Sequence, residues 1–174
     1  MSSFSIMKKP ISQTATSSSF SFLNCLTKIK ESSALQTALI LLGLSLFWLA
    51  MILIADPRGE FPLNDDWVYA RSVFTFLQTG IYKPNDSQAA VAFIQIFWGA
   101  LFSKVFGFSM TILRVSVIVL GWFGVLASYF LFQKAHPSKL LSALCASLLA
   151  STPLYFLLAN TFMTNIPFCA FVCG

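Results

Sequence analysis

The chain alternates long apolar runs with short polar breaks. Residues Ala34 to Ile54 read ALQTALILLGLSLFWLAMILI without a charge. At 1.5 Å of rise per residue, about twenty such residues reach across a hydrocarbon core of about 30 Å, so a transmembrane helix is predicted over 34–54. Met110 to Phe132 and Leu140 to Leu158 form two more apolar runs, predicting spans over 110–132 and 140–158, and a further run starts at 167. Ala89 to Phe108 is harder to place. Gln95 and Lys104 interrupt it and leave about fifteen clean residues, or roughly 22 Å of helix, which can cross the bilayer or dip into its interface.

Between the first two apolar runs lies a segment of different character. Five of the six acids fall between Asp56 and Asp86. Burying Asp65, Asp66 and Arg71 together in lipid would cost on the order of 8 to 10 kcal/mol, so this segment is not expected to span. It still reads as a helix over about 65–79. Asn64 is a favourable N-cap, the two Asp fall in the first turn where the helix dipole favours anions, and Gly80 supplies a stop. Trp67, Ala70, Phe74 and Leu77 recur at helical spacing, so the helix is predicted to lie along the outer membrane face.

Composition sharpens the class. The chain has 174 residues, 57% of them apolar and only 10% charged, with a mean hydropathy of +0.78. That is more apolar side chain than a soluble domain of this size can hide, and it predicts an all-α integral membrane protein. The 11 Lys and Arg against 6 acids are scattered, without a basic helix or basic–aromatic interleaving, so nucleic acid is not an expected partner. They read as topology signals and headgroup contacts. Residues 1–33 are Ser/Thr-rich and basic and form an expected disordered cytoplasmic arm, leaving 34–174 as the membrane domain. Cys25, Cys145, Cys169 and Cys173 show no metal-ligand spacing and are expected to act as small buried hydrophobes, and His136 as a solvated loop residue.

Topology turns on 89–106. If it spans, Lys104 and Arg114 are cytoplasmic while Lys134 and Lys139 are outside; if it does not, the pairs exchange sides, and the positive-inside count is tied. Only the non-spanning arrangement puts Asn165 on the same face as Asp65 and Asp66. Arg114 is expected to snorkel from the start of its span.

Asp65 and Asp66 follow a membrane exit at once and are flanked by Trp67 and Tyr69. A carboxylate there can act as a general base toward a hydroxyl or amine, or can ligate a divalent metal that holds a phosphate. The plain alternative is an Asp pair that only caps a surface helix.

The pattern formed by Asp65, Asp66, Tyr69 and Ala70 just after the first membrane helix resembles the first-loop motif of the C-type glycosyltransferases, in the branch of the protein O-mannosyltransferases and the aminoarabinose transferase. Thr161 to Phe168, TFMTNIPF, is similar to the second-loop signature of that family, with Asn165 in place of its acid. The resemblance implies transfer of a sugar from a polyprenyl-phosphate carrier to an acceptor on the outer or lumenal face. It makes Asp65 and Asp66 the catalytic candidates, Tyr69, Arg71 and Asn165 substrate-binding candidates, and Asp66 with Asn165 the place for a divalent metal ion, though the amide of Asn165 lacks the charge that would attract one. It also lays 65–79 and 89–106 along the membrane as interfacial helices. Family members are longer and carry more helices, so the resemblance implies an amino-terminal portion, inactive alone, in a bacterial inner or plasma membrane with its N-terminus cytoplasmic. The competing expectations are a small multi-span scaffold or interaction protein without catalytic activity, and a fragment of a transporter or channel.

Overall fold

The computed structural model describes residues 33–63, 65–85 and 92–173. The basic arm over 1–32, the proposed cap Asn64 and the acid Asp86 lie outside the described residues. Every element among the described residues is an α-helix: α1 (Ser33–Ala55), α2 (Asp66–Thr79), α3 (Phe93–Phe106), α4 (Met110–Ala135), α5 (Lys139–Ser151), α6 (Pro153–Ala159) and α7 (Asn165–Cys173). The chain divides into two compact units at Leu39/Ile40. The first contributes only the opening turns of α1 to this description, and the second holds everything that follows.

Two helices, α1 and α4, are long and apolar enough to cross a membrane, or three if α5 and α6 make one bent span. That bend is a difference from the single helix predicted over 140–158. α5 and α6 meet at 63° across Thr152. Pro153 has no N–H to give to the preceding turn, its ring disfavours helical geometry at the residue before it, and it sits at the first position of α6, where a missing donor is harmless. Thr152 is accordingly extended.

α4 is the axis of the second unit. α3 closes on its first turns, where the Trp98 indole donates to the Ser116 carbonyl at 2.9 Å. α1 meets it lower down, the Trp122 indole donating to the Ser45 hydroxyl at 3.0 Å. Small residues make the close approaches possible. A β-carbon at Gly99 of α3 would lie 2.6 Å from the Phe162 ring and 3.1 Å from Leu113, and one at Gly124 would lie 2.5 Å from the Tyr155 hydroxyl. The same hydroxyl donates to the Gly121 carbonyl at 2.8 Å, and Trp48 packs edge-on against the Tyr155 and Phe156 rings at 6.0 and 6.1 Å.

These contacts order the C-terminal part. The chain climbs from Tyr155 beside Gly121 to Phe162 beside Leu113, turns, and descends as α7 with Ile166 beside Gly121 and Ala170 beside Gly124. The turn over 160–164 therefore stands at the same end of α4 as Arg114. Its polar side chains face back into their own helix: Asn160 donates to the Phe156 carbonyl at 2.8 Å and Thr161 to the Leu158 carbonyl at 3.0 Å.

α3, at 14 residues, is shorter than the roughly twenty that a span requires. Gln95, predicted to interrupt it, is buried, and neither amide atom finds a hydrogen-bond partner among the described residues. One further expectation is corrected. Cys169 is exposed because its side of α7 is uncovered, while Cys145 is half-buried. Of the apolar stripe predicted on α2, Trp67, Phe74 and Leu77 are exposed, whereas Ala70 turns inward with Asp66, Tyr69 and Val73. The reason for that rotation lies in the site.

Candidate functional site

The first loop starts where α1 stops. Asp56 adopts a left-handed backbone, tolerable for a short polar residue, and its carboxylate takes two hydrogen bonds from Arg58 at 2.6 and 3.1 Å. That pairing holds the Asp56 carboxyl below its ordinary range. Glu60 then reaches across to the start of α4, accepting from the Met110 amide at 3.0 Å and the Thr111 hydroxyl at 3.0 Å. Backbone and hydroxyl donors at a helix N-terminus favour the anion, and the Glu60 carboxyl is lowered, chiefly by the Met110 amide. The Gly59 amide donates to Thr111 Oγ1 at 3.1 Å, so the loop is pinned to α4 at successive residues.

Beneath this loop lies Arg114. Its side chain is 1% exposed, and the expected snorkelling does not occur. Nη1 donates to the carbonyls of Pro57 at 3.3 Å and Gly59 at 3.1 Å, Nη2 donates to the carbonyl of Phe61, and the guanidinium lies 5.1 Å from the centre of the Phe61 ring. Nη2 also stands 3.7 Å from Asp66 Oδ2. That is an ion pair, longer than a hydrogen bond.

α2 follows directly. Consecutive residues on a helix point about 100° apart, so neighbouring acids cannot share an environment. Asp66 turns inward and is fully buried, drawn to Arg114, and neither carboxylate oxygen has a hydrogen-bond partner among the described residues. Desolvation raises its carboxyl above the ordinary range, opposed by the Leu63 and Trp67 backbone and by Arg114. Asp65 turns outward and is exposed at the N-cap position, making no side-chain cap. Once Asp66 faces Arg114, Tyr69, Ala70 and Val73 fall on the same inner face, and the rotation of α2 follows. The helix ends at Gly80, whose left-handed conformation lets its amide donate to the Phe76 carbonyl at 2.9 Å.

The other candidates fall into three places. Tyr69 is 4% exposed and belongs to the hydrophobic core. Arg71 is exposed and, with Thr75, Lys83 and Asn85, lines an open polar groove of about 340 Å³ beside α2. Asn165 is exposed at the start of α7. Its neighbour Ile166 packs beside Gly121, roughly 10 Å along α4 from Arg114, and no hydrogen bond or ion pair joins Asn165 to either Asp. Among the described residues no cluster of three His, Cys, Asp or Glu side chains is arranged to hold a metal. A divalent cation at Asp66 would stand against the Arg114 guanidinium, which already occupies that place, so Asp66 with Asn165 does not fit one.

Arg114 and Lys83 were not among the site residues expected from the sequence. Arg114 carried a usable signal: a cation early in an apolar span, in a chain with so few acids, asks which acid pairs with it.

Compared with protein-family models, curated proteins and solved structures, the chain matches none.

Proposed function

We propose that this chain carries the first-loop site of a membrane glycosyltransferase that moves a sugar from a polyprenyl-phosphate carrier to an acceptor on the outer or lumenal face. One observation carries the reading: two adjacent carboxylates at the exit of a membrane-length helix are given opposite tasks, Asp66 buried against Arg114 and Asp65 held in the open. A structural acid beside a presented one is the arrangement a general base needs, because the buried partner removes the freedom of the helix that carries the base.

In this reading Asp65 takes the proton of the acceptor nucleophile while Arg71 and Lys83 offer positive charge to the carrier phosphate from the polar groove. As that proton passes to Asp65, the acceptor atom bonds to the anomeric carbon, and the phosphate leaves with the electrons of the broken glycosidic bond. The exposed apolar side chains of α2, Trp67, Phe74 and Leu77, suit contact with lipid, which would lay this helix in the interface where a carrier headgroup is found. The short α3 suits the same placement. No step is routed through a metal ion.

The test is transfer of labelled sugar from a polyprenyl-phosphate donor in membranes holding a full-length protein that contains this chain. Asp65→Asn is expected to reduce transfer by about a hundredfold or more with insertion unchanged, in the range of a lost general base. Transfer within a few-fold of the parent would remove Asp65 from the chemistry.

The second reading, a membrane scaffold without catalytic activity, has its own support in Asp66, whose ion pair with Arg114 ties α2 to α4. It predicts no transfer from any carrier and no consequence of Asp65→Asn.

A further inference from the structure

We propose that Arg114 is a cation supplied by the chain itself, standing where an oxygen-lined site would otherwise take a metal ion, and that it is the positioning residue which holds the first loop and Asp66 as one rigid unit. The inference does not rest on the glycosyltransferase reading, because it concerns what binds the loop and not what the loop does.

Three backbone carbonyls and one carboxylate surround the Arg114 fork at the top of α4: Pro57 and Gly59 face Nη1, Phe61 faces Nη2, and Asp66 Oδ2 stands 3.7 Å from Nη2. Neutral carbonyls and an acid are the ligand set that a hard divalent cation takes. Here the centre is occupied by a guanidinium, a planar fork able to serve several oxygens at once, with an aromatic ring at 5.1 Å. Two other acids of the loop are already engaged: Glu60 caps α4, and Asp56 pairs with Arg58. The oxygens come from a loop and a helix distant in sequence from Arg114, so removing the fork releases both together. A lysine would keep the charge but present its donors from one point, and cannot reproduce two nitrogens directed at separate carbonyls.

The experiment reads hydrogen exchange at the Gly59 amide, which is protected by Thr111 only while the loop is docked. It uses the full chain in lipid nanodiscs. In the parent protein, exchange is expected to be the same with EDTA as with added Mg²⁺, Ca²⁺ or Mn²⁺. Arg114→Gly should accelerate it about tenfold or more, the loss expected for charge-assisted hydrogen bonds, while amides around Val125 stay protected. Methylguanidinium should slow it again and methylammonium should not. Arg114→Lys should remain fast, and it decides the matter if Arg114→Gly does not fold.

Faster exchange of the parent in EDTA, or slower exchange with a divalent ion, would show that a metal holds the loop and would overturn the proposal. So would Arg114→Lys behaving as the parent, a folded Arg114→Gly protein exchanging within about twofold of it, or that variant failing to respond to methylguanidinium.

Discussion

Arg114 Nη2 stands 3.7 Å from Asp66 Oδ2, both side chains buried, 48 positions apart in the chain and on different helices. This pair fixes the rotation of α2, and through it which of two consecutive acids faces outward. Its two members are unequal. Arg114 also holds three carbonyls, whereas the Asp66 carboxylate has no other partner among the described residues.

The inequality predicts an asymmetric response to mutation. Arg114→Met leaves the loop carbonyls without their donor and Asp66 as an uncompensated buried acid, and is expected to lower unfolding stability by about 3 to 5 kcal/mol. Asp66→Asn keeps the shape and one acceptor and removes a charge that burial penalises, and is expected to change stability by under about 1 kcal/mol. Unfolding of both variants in the same detergent checks the ranking. Equal losses would mean that the ion pair, not the carbonyl contacts, dominates.

Two carboxyls should titrate with opposite sign. Asp66 is raised in the fold, so the native state holds its proton more tightly: its contribution to stability is fully present below about pH 3.8 and is lost as pH rises through the raised value. Glu60 is lowered, so its contribution is present above about pH 4.5 and is lost as pH falls through the depressed value. Relative to the parent, Asp66→Asn should therefore gain stability as pH rises, and Glu60→Gln should lose less as pH falls. Stability curves of the three proteins across the acid range test both signs.

Glu60→Gln removes the anion from the start of α4 but leaves an acceptor. At neutral pH it should destabilise by about 0.5 to 1 kcal/mol, the magnitude of a lost helix N-terminal contact. No measurable change would show that the Thr111 and Ser109 hydroxyls cap α4 without it.

The seam between α4 and α6 has no room for a methyl group. Gly124→Ala would place its β-carbon 2.5 Å from the Tyr155 hydroxyl and displace the bond to the Gly121 carbonyl, costing about 1 to 3 kcal/mol by overpacking. Gly43→Ala, on a helix face with nothing within 4 Å, should be neutral or stabilising by up to about 1 kcal/mol. Thermal unfolding of the pair separates steric collision from a general effect of glycine replacement.

Single cysteines placed at Asp65 and Asn165, in a chain with its native cysteines replaced, should be labelled by an impermeant thiol reagent from the same side of the membrane. The 160–164 turn stands at the Arg114 end of α4, and α3 is too short to span. Labelling from opposite sides would show that α3 crosses.

Much of the fold was legible in the pattern of the chain, and the reason is local. Whether Ala34–Ile54 or Met110–Phe132 forms a long apolar helix depends on backbone hydrogen bonds within the segment and on solvent preference, and both are written in consecutive residues. Gly80 as a stop was legible for the same reason, whereas 140–158 was expected as one helix and the structure breaks it at Pro153. The exposed stripe of Trp67, Phe74 and Leu77 on α2 was legible as periodicity, but the inward turn of Ala70, Tyr69 and Val73 was not, because it depends on partners remote in the chain.

What only the tertiary structure decided is which polar group meets which. Asp65 and Asp66 are equal acids in the sequence. Arg114, near in space and remote along the chain, makes one a buried anchor and leaves the other exposed, because a buried charge takes the orientation that brings it to its counter-ion. The sequence determined where helices form in this protein, and long-range electrostatics in a low-dielectric interior determined which face each of them shows.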